Sequence, residues 1–291
     1  MEIIVGKTAG FCYGVERAVK GAEEEIAKVT TEPVYCLGEI VHNKKVIEKL
    51  EALGIKCVET IEEAKGKVLI RAHGIPKEIY KIAEERNLTV KDYTCPNVLK
   101  VQKIAEEFSQ KDYFIFLLGA KNHPENIATL SHCGDCYYIF EKEEQLEEAM
   151  QIFRNTNKKK LLLLSQTTYS VEKFQTIKNK ILEELENDVD FVVKNTICRT
   201  TELRQKETEE LSKKVDAMII IGGKNSSNTK KLYEVAKKNC NHTILVEGAE
   251  ELSAQEFEEN FHKDKIGIMA GASTPKKSID EVIAFLKEGC K

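Results

Sequence analysis

Residues 113–130 read YFIFLLGAKNHPENIATL and indicate the fold class most directly. It opens with an apolar run from Tyr113 to Leu118, passes through a polar turn that contains His123, and continues with helical spacing. A short apolar run, a polar turn and an amphipathic helix are typical of a βα unit in a parallel sheet. The stretch therefore predicts an α/β fold.

The same pattern recurs along the whole chain. Five further apolar runs precede turns that read GEIVHN, RAHG, SQTT, GKNSSN and GAST; the runs are Pro33 to Leu37, Lys67 to Ile70, Leu161 to Leu164, Ala217 to Ile221 and Ile266 to Met269. Three other turns at predicted helix starts carry a cysteine, namely Cys12, Cys95 and Cys198. In open α/β sheets, ligands bind outside the carboxyl ends of the strands, where all of these turns lie.

Taken in chain order, these turns form three groups of one cysteine turn and two polar turns. The groups are Cys12, His42 and His73; Cys95, His123 and Thr167; and Cys198, Ser226 and Ser273. This order predicts three similar αβα lobes with mainly parallel sheets, at residues 1–91, 92–190 and 191–291. If the lobes surround a pseudo-threefold axis, their turns line one central cavity.

Composition and charge exclude several classes of protein. The chain has 291 residues, of which 42% are hydrophobic and 32% charged, as in ordinary globular proteins. Its 44 basic and 48 acidic residues leave a net charge of −4, which argues against a nucleic-acid backbone binder. No leader sequence and no apolar stretch of about 18 residues is visible, so we expect a cytoplasmic protein without membrane spans. Its nine cysteines should then be mostly thiols.

The three cysteines at helix starts are suited to bind a metal. Unsatisfied N–H groups and the helix dipole favour the thiolate form, which is the metal ligand. Three thiolates can hold zinc with an open position, or an iron–sulfur cluster that lacks its usual fourth cysteine. Cys133 and Cys136 form a CGDC segment that could be a redox pair, but we interpret this single CxxC as an incidental loop.

A second set of side chains forms a neutral hydrogen-bonding group. Its members all lie in the polar turns: His42, His73, His123, Ser226, Ser227, Asn228 and Ser273. Together with N–H groups at helix starts, such donors suit a diphosphate without lysine. The alternative is that the serines and the asparagine only cap helices.

Glu125 follows His123 and Pro124 in the same turn. A carboxyl group that is buried beside a cluster tends to stay protonated, as a general acid requires. A glutamate in the first turn of a helix also stabilises the helix through its dipole. Its position alone leaves both roles open.

Nine motifs in register support a resemblance to a known family. GFCYGVERAV, GEIVHN, RAHG, YTCP, NHPE, SQTT, TICRTTELRQ, NSSN and GAST run from residue 3 to about residue 285. In this order the chain resembles the 4-hydroxy-3-methylbut-2-enyl diphosphate reductases of the non-mevalonate isoprenoid pathway. The resemblance implies a trefoil of three αβα lobes around a [4Fe-4S] cluster with one open iron, held by Cys12, Cys95 and Cys198.

The resemblance also implies roles for the remaining residues. Glu125 would deliver a proton to the leaving hydroxyl, with Thr167 as its partner and Thr168 beside it. The histidine, serine and asparagine set would bind the diphosphate. The reaction would be a two-electron reduction of the allylic alcohol to isopentenyl and dimethylallyl diphosphate, with electrons from a ferredoxin or flavodoxin.

Three rival functions remain open at this point. A zinc hydrolase would use three thiolates and a metal-bound water. A sensor that is not an enzyme would bind a phosphorylated ligand, or oxygen through its cluster. A thiol–disulfide enzyme would use CGDC, although this reading leaves the other turns unexplained.

Overall fold

A computed structural model describes residues 1–28, 33–252 and 264–288 of the chain. Within these ranges, twelve strands form three four-stranded sheets in which all pairings are parallel. The strands are β1 (Glu2–Val5), β2 (Val34–Leu37), β3 (Ile55–Val58), β4 (Lys67–Ile70), β5 (Thr89–Asp92), β6 (Phe114–Leu118), β7 (Tyr137–Phe140), β8 (Lys160–Ser165), β9 (Asp190–Val193), β10 (Ala217–Ile221), β11 (Thr243–Val246) and β12 (Lys265–Ala270).

Helices connect the strands, as parallel pairing requires. They are α1 (Tyr13–Ala27), α2 (Lys44–Ala52), α3 (Lys77–Glu85), α4 (Pro96–Gln110), α5 (Pro124–Leu130), α6 (Leu146–Asn155), α7 (Val171–Glu184), α8 (Arg199–Ser212), α9 (Ser227–Asn239) and α10 (Lys276–Glu288), with short 3₁₀ helices at Ile61–Glu63, Glu143–Gln145 and Ala249–Glu251. Helices α4 and α5 both begin with proline, whose fixed φ angle and missing N–H suit a first helical position.

The chain divides into two compact units. One comprises Met1–Val19, Val41–Leu50 and the described residues from Arg199 onwards, and it contains the sheet with strand order β1-β12-β10-β11. Its register pairs Val5 of β1 with Ile268 of β12, and Ile221 of β10 with Ala270 of β12. The N-terminal strand thus completes a sheet whose other three strands lie after residue 216.

The other unit comprises Lys20–Ile40 and Glu51–Cys198. It contains two sheets, with strand orders β3-β2-β4-β5 and β7-β6-β8-β9. Phe114, Phe116, Phe140 and Phe153 form edge-to-face aromatic contacts in the core on one face of the second sheet. These rings help to fix the strand that leads to the turn with His123.

The predicted α/β class and the three αβα lobes with parallel sheets are confirmed. The six runs recognised in the sequence correspond to β2, β4, β6, β8, β10 and β12, which are the two central strands of each sheet. The boundaries at residues 91/92 and 190/191 stay a prediction. Strand β5 spans the first of them and β9 spans the second, so each of these strands pairs with a strand from the preceding segment.

Candidate functional site

The predicted site residues occupy equivalent places in the three sheets. The polar turns with His42, His73, His123, Thr167, Ser226 and Ser273 follow β2, β4, β6, β8, β10 and β12, which are central strands. The cysteine turns with Cys12, Cys95 and Cys198 follow β1, β5 and β9, which are edge strands. In every sheet the edge strand that leads to a cysteine lies beside the second of the two central strands.

The backbone of each cysteine is anchored in the same way. The N–H of Cys12 donates to the carbonyl of Ala272 at 3.1 Å, that of Cys95 to Ala72 at 2.9 Å, and that of Cys198 to Thr167 at 2.9 Å. Each acceptor lies in the polar turn after the neighbouring strand. Ala272 directly precedes Ser273, Ala72 directly precedes His73, and the third acceptor is Thr167 itself. Repetition of this bond shows that the three turns are built alike, because each cysteine is tied to a neighbouring polar turn.

Two of the cysteines are further linked in one compact unit. Cys95 is the residue before helix α4, and its carbonyl accepts from the N–H of Leu99 at 3.0 Å. The side-chain amide of Asn97, two residues after Cys95, donates to Sγ of Cys198 at 3.2 Å. The segment after one predicted ligand therefore contacts the sulfur of another.

In the other unit, two charged residues of helix α8 hold the loop before Cys12. Arg204 is only 2% exposed, and its guanidinium donates to the carbonyls of Thr8, at 2.7 Å, and Gly10. The carboxylate of Glu207 accepts from the N–H groups of Lys7 and Thr8 at 2.6 and 2.8 Å. These contacts fix the loop that leads into Cys12.

Glu125 is the most deeply buried acid of the predicted site. It is 2% exposed, and both of its carboxyl oxygens contact Thr167. The backbone N–H of Thr167 donates to Oε1 at 2.6 Å, and the Thr167 hydroxyl lies 2.7 Å from Oε2. Burial raises the pKa of Glu125 to about 7, although the two hydrogen bonds from Thr167 act in the opposite direction. The group can therefore hold or release a proton near neutral pH.

The polar surroundings of Glu125 form a connected network. Thr129 donates from Oγ1 to the Glu125 carbonyl at 2.9 Å. Gln166, the residue before Thr167, accepts from Asn126 at 3.0 Å and donates to Oγ1 of Thr168 at 2.8 Å. The hydroxyl of Thr168 is thus oriented by Gln166.

His123 caps helix α5 and is thereby held in one tautomer. Its Nδ1 accepts from the N–H of Glu125 at 3.2 Å, so Nε2 carries the proton and acts as a donor. The ring of His73 lies edge-on to that of His123, with 5.4 Å between centroids. His73 precedes Gly74, whose φ of 76° and close approach to Gln102 favour glycine in this turn.

The turns with Ser226, Ser273 and His42 lie in the unit that contains Cys12. Ser226 caps helix α9, and its hydroxyl accepts from the N–H of Thr229 at 3.3 Å, whereas Ser227 is the first helical residue. Ser273 donates to the carbonyl of His42 at 3.0 Å. A side chain at Gly223 would come within 2.7 Å of the same carbonyl, so glycine permits this approach.

Asn228 presents a buried donor that lacks a protein partner. It is 4% exposed, and among the described residues its Nδ2 forms no hydrogen bond. The hydroxyl of the next residue, Thr229, is also buried and also forms no hydrogen bond with the described residues. An unsatisfied buried polar group is costly, typically by about 1 to 3 kcal/mol, and such groups indicate a place for a ligand. The capping role predicted as the alternative applies to Ser226 but does not explain Asn228.

The remaining cysteines have different surroundings. Cys133 is buried, which raises its pKa to about 12, and burial also raises the pKa of Cys57, to about 11, and that of Cys36. Such thiols are poor nucleophiles and poor metal ligands. Cys240 is buried near the end of α9, and Cys290 lies outside the described residues. The raised pKa of Cys133 argues against a redox pair in CGDC.

Four contributors to the site are missing from the sequence-based prediction. Asn97, Arg204 and Glu207 lie in helices whose polar residues look solvent-exposed, so only their tertiary contacts identify them. Thr229 directly follows the NSSN motif, and its place one turn after the helix cap is the signal that could have found it.

Comparisons with known proteins give a consistent result over the full chain. The family model described as LytB protein matches residues 3–287. The 4-hydroxy-3-methylbut-2-enyl diphosphate reductase of Caldanaerobacter subterraneus subsp. tengcongensis is 42% identical over 292 residues, covering 99% of this chain and 97% of the relative.

Two solved structures are similar as well. The structure of (E)-4-hydroxy-3-methyl-but-2-enyl diphosphate reductase, described as the terminal enzyme of the non-mevalonate pathway, has a TM-score of 0.69 and 38% identity, covering 99% of this chain and 100% of that chain. The E-1-hydroxy-2-methyl-but-2-enyl-4-diphosphate reductase from Plasmodium falciparum has a TM-score of 0.88 and 29% identity, covering 98% and 88%. Across the described part of this chain, no helix has the length and apolar character needed to cross a bilayer.

Proposed function

Because the chain belongs to the LytB family, we propose that it reduces 4-hydroxy-3-methylbut-2-enyl diphosphate to isopentenyl and dimethylallyl diphosphate. The reaction consumes two electrons and two protons. The allylic C–O bond breaks, the oxygen leaves as water after taking up one proton, and the second proton adds to the allyl carbon skeleton. The equivalent anchoring of Cys12, Cys95 and Cys198 carries this proposal, because it gives three thiols one common structural role.

These cysteines suit an iron–sulfur cluster better than the other thiols of the described residues. Cys12, Cys95 and Cys198 are partly exposed, whereas Cys36, Cys133 and Cys240 are buried. Cys57 and Cys136 are partly exposed as well, but Cys57 lies inside strand β3 and Cys136 lies directly before strand β7, so neither stands at a helix start. Soft thiolates are the usual ligands of such clusters, and three of them leave one iron without a protein ligand. We therefore propose a [4Fe-4S] cluster with Cys12, Cys95 and Cys198 as its ligands. When bound, the cluster supplies electrons and a Lewis-acidic iron for the substrate oxygen.

The chain's own residues bind and orient the substrate. We assign the diphosphate to the donors of the polar turns, which are His42, His73, His123, Ser226, Ser227, Asn228 and Ser273. The free Nδ2 of Asn228 and the proton on Nε2 of His123 support this assignment. Fixing the diphosphate holds the allylic alcohol in one orientation, which lowers the entropic part of the barrier.

Glu125 is the proposed proton donor for the leaving hydroxyl. Its pKa of about 7 keeps a large fraction protonated at neutral pH, and Thr167 orients both carboxyl oxygens. Thr168 lies beside this pair. The electrons come from outside the chain, and we propose a ferredoxin or flavodoxin as donor. A reducing compartment such as the cytoplasm would keep the free cysteines as thiols.

The central test is anaerobic quantitation of iron and sulfide in the wild type and in three variants, Cys12→Ser, Cys95→Ser and Cys198→Ser. Each variant should lose most of its cluster and its activity, because a site with only three protein ligands cannot spare one. Cys133→Ser and Cys136→Ser are the controls and should keep both near wild type. If one of these three variants keeps its full iron content, the replaced cysteine is not a cluster ligand. Zinc without iron or sulfide in the wild type would refute the reductase and favour a hydrolase.

Diphosphate binding can be tested separately by thermal unfolding. A ligand that binds only the folded state at 100 times its dissociation constant adds about 2.7 kcal/mol to the free energy of unfolding. Inorganic diphosphate should therefore raise Tm, and the Ser226→Ala/Asn228→Ala double variant should lose that rise while keeping its iron. Asn239→Ala, at the exposed other end of α9, is the matched control. An unchanged rise in the double variant would place the anion elsewhere.

A further inference from the structure

The side-chain amide of Asn97 contacts the sulfur of Cys198. Its Nδ2 donates to Sγ across 3.2 Å, although the two residues are 101 positions apart in the chain. A thiolate sulfur can only accept hydrogen bonds, so the NH₂ side of the amide must face it. The contact is thus an N–H···S bond to one of the proposed cluster ligands.

Both partners of this bond are held by the backbone. Asn97 is the second residue of α4, which starts at Pro96, and the preceding Cys95 donates to Ala72 at 2.9 Å. Cys198 is fixed by its own N–H bond to Thr167, also 2.9 Å long. These two backbone bonds hold the amide against the sulfur. Asn97 itself is exposed, so packing of its side chain is not what keeps it in place.

A hydrogen bond to a ligating sulfur changes the energy of the cluster's redox states. The N–H dipole stabilises negative charge on sulfur, and the reduced state carries more of that charge than the oxidised state. Hydrogen bonds to the sulfurs are one of the factors that set the reduction potential of iron–sulfur clusters, and partners of metal ligands tune the metal in general. Such a bond therefore makes the cluster easier to reduce.

We propose that Asn97 is a positioning residue that raises the reduction potential of the cluster by donating a hydrogen bond to Cys198. This inference rests on the proposed function, because it requires Cys198 to be a cluster ligand. Its effect on turnover is indirect: Asn97 helps the external donor to deliver electrons and does not contact the substrate.

The test is an anaerobic redox titration of the holoprotein, followed by the visible and EPR signals of the cluster. Asn97→Leu keeps the size of the side chain but removes the donor, so the midpoint potential should become more negative. We expect at least a threefold fall in the equilibrium constant for one-electron reduction, or ~28 mV at 59 mV per tenfold change. Asn97→Asp replaces the donor with a negative acceptor and should lower the potential further.

Gln110→Leu is the matched control, because it removes an exposed amide from the last residue of the same helix. Its potential should equal that of the wild type. Asn97→Gln keeps a donor on a longer arm, and its potential should lie closer to wild type than that of Asn97→Asp. These variants should also show the iron content and Tm of the wild type, which distinguishes tuning from a structural role.

Two results would overturn the inference. One is an equal potential in the wild type and in Asn97→Leu. If Asn97→Leu does not retain iron, an equal potential in Asn97→Asp and Asn97→Gln has the same consequence. A wild-type protein without iron and sulfide would instead refute the proposed function itself.

Discussion

Glu25 and Glu125 are both nearly buried glutamates of the same compact unit, yet their pKa values shift in opposite directions. Glu25, near the end of α1, is 5% exposed, and Glu125, at the start of α5, is 2% exposed. The pKa of Glu25 falls to about 2, whereas that of Glu125 rises to about 7. Burial alone therefore does not decide the protonation state of an acid.

The difference comes from what each carboxyl group contacts. Glu25 accepts hydrogen bonds from the ammonium groups of Lys28 and Lys67 at 2.8 and 2.6 Å, and these cations stabilise the charged form. The carboxyl oxygens of Glu125 accept hydrogen bonds from the neutral groups of Thr167, and among the described residues no cation lowers its pKa, so desolvation dominates. The first arrangement gives an ion pair that supports the structure. The second gives an acid that can exchange a proton near neutral pH.

The largest expected effect concerns turnover. Glu125→Gln keeps the size of the side chain, and its amide can still accept from the N–H of Thr167 and donate to its hydroxyl. It cannot deliver a proton. General acid catalysis typically contributes about 10² to 10⁴ in rate, so turnover should fall by at least that range. Anaerobic single-turnover reduction with a chemically reduced cluster measures this fall, and substrate-induced change in the cluster spectrum shows whether binding survives.

Two control variants sharpen this result. Glu147→Gln changes an exposed glutamate in the first turn of α6, where it interacts with the helix dipole and accepts a hydrogen bond from Gln151 at 3.4 Å. Glu25→Gln changes the buried glutamate that is ion-paired. Both should turn over at nearly the wild-type rate. Near-normal turnover in Glu125→Gln would reduce Glu125 to a helix-stabilising residue and leave the proton donor unidentified.

The sequence predicts the central strands of this fold but not the edges. Central strands such as β6 and β8 are buried on both faces and read as continuous apolar runs. Edge strands such as β5 and β9 are partly exposed and contain Lys91 or Asp190, so they lack that signal. Strand β1 pairs in parallel with β12, which lies at the other end of the sequence, and no local sequence pattern can indicate such a pairing.

The site shows the same limit. Motifs indicate the cysteines, Glu125 and the turn donors as candidates, because each stands at a strand-to-helix turn where ligands collect. The buried side of α8 is polar instead, with Thr201, Arg204, Gln205 and Thr208 facing inwards. A prediction that takes only apolar residues as buried places these polar side chains on the solvent-exposed face of the helix. The role of Arg204 follows only from its partners Thr8 and Gly10, which lie almost 200 residues away.

The smaller expected effect is on stability, where the two glutamates should act in different pH windows. An unfolded chain releases the Glu125 proton near pH 4.5, but the folded chain keeps it until about pH 7. Between these values the folded state binds more protons, so its stability falls as pH rises. At 1.36 kcal/mol per pKa unit, this shift lowers the free energy of unfolding by about 3 kcal/mol once the pH is above 7. Denaturant unfolding of Glu125→Gln should lack this decline.

Glu25 should give the opposite slope in a more acidic window. Its folded pKa of about 2 lies below the ordinary value of 4.5, so the ion pair's contribution is complete above pH 4.5 and is lost as pH falls towards 2. Lys28 is 60% exposed, and solvent screens its attraction, so Glu25→Gln should cost only about 1 kcal/mol at pH 7. Glu24→Gln, an exposed neighbour, is the control and should leave the unfolding free energy unchanged. If Glu25→Gln and Glu125→Gln alter the same pH window, the two carboxyl groups do not differ as their contacts indicate.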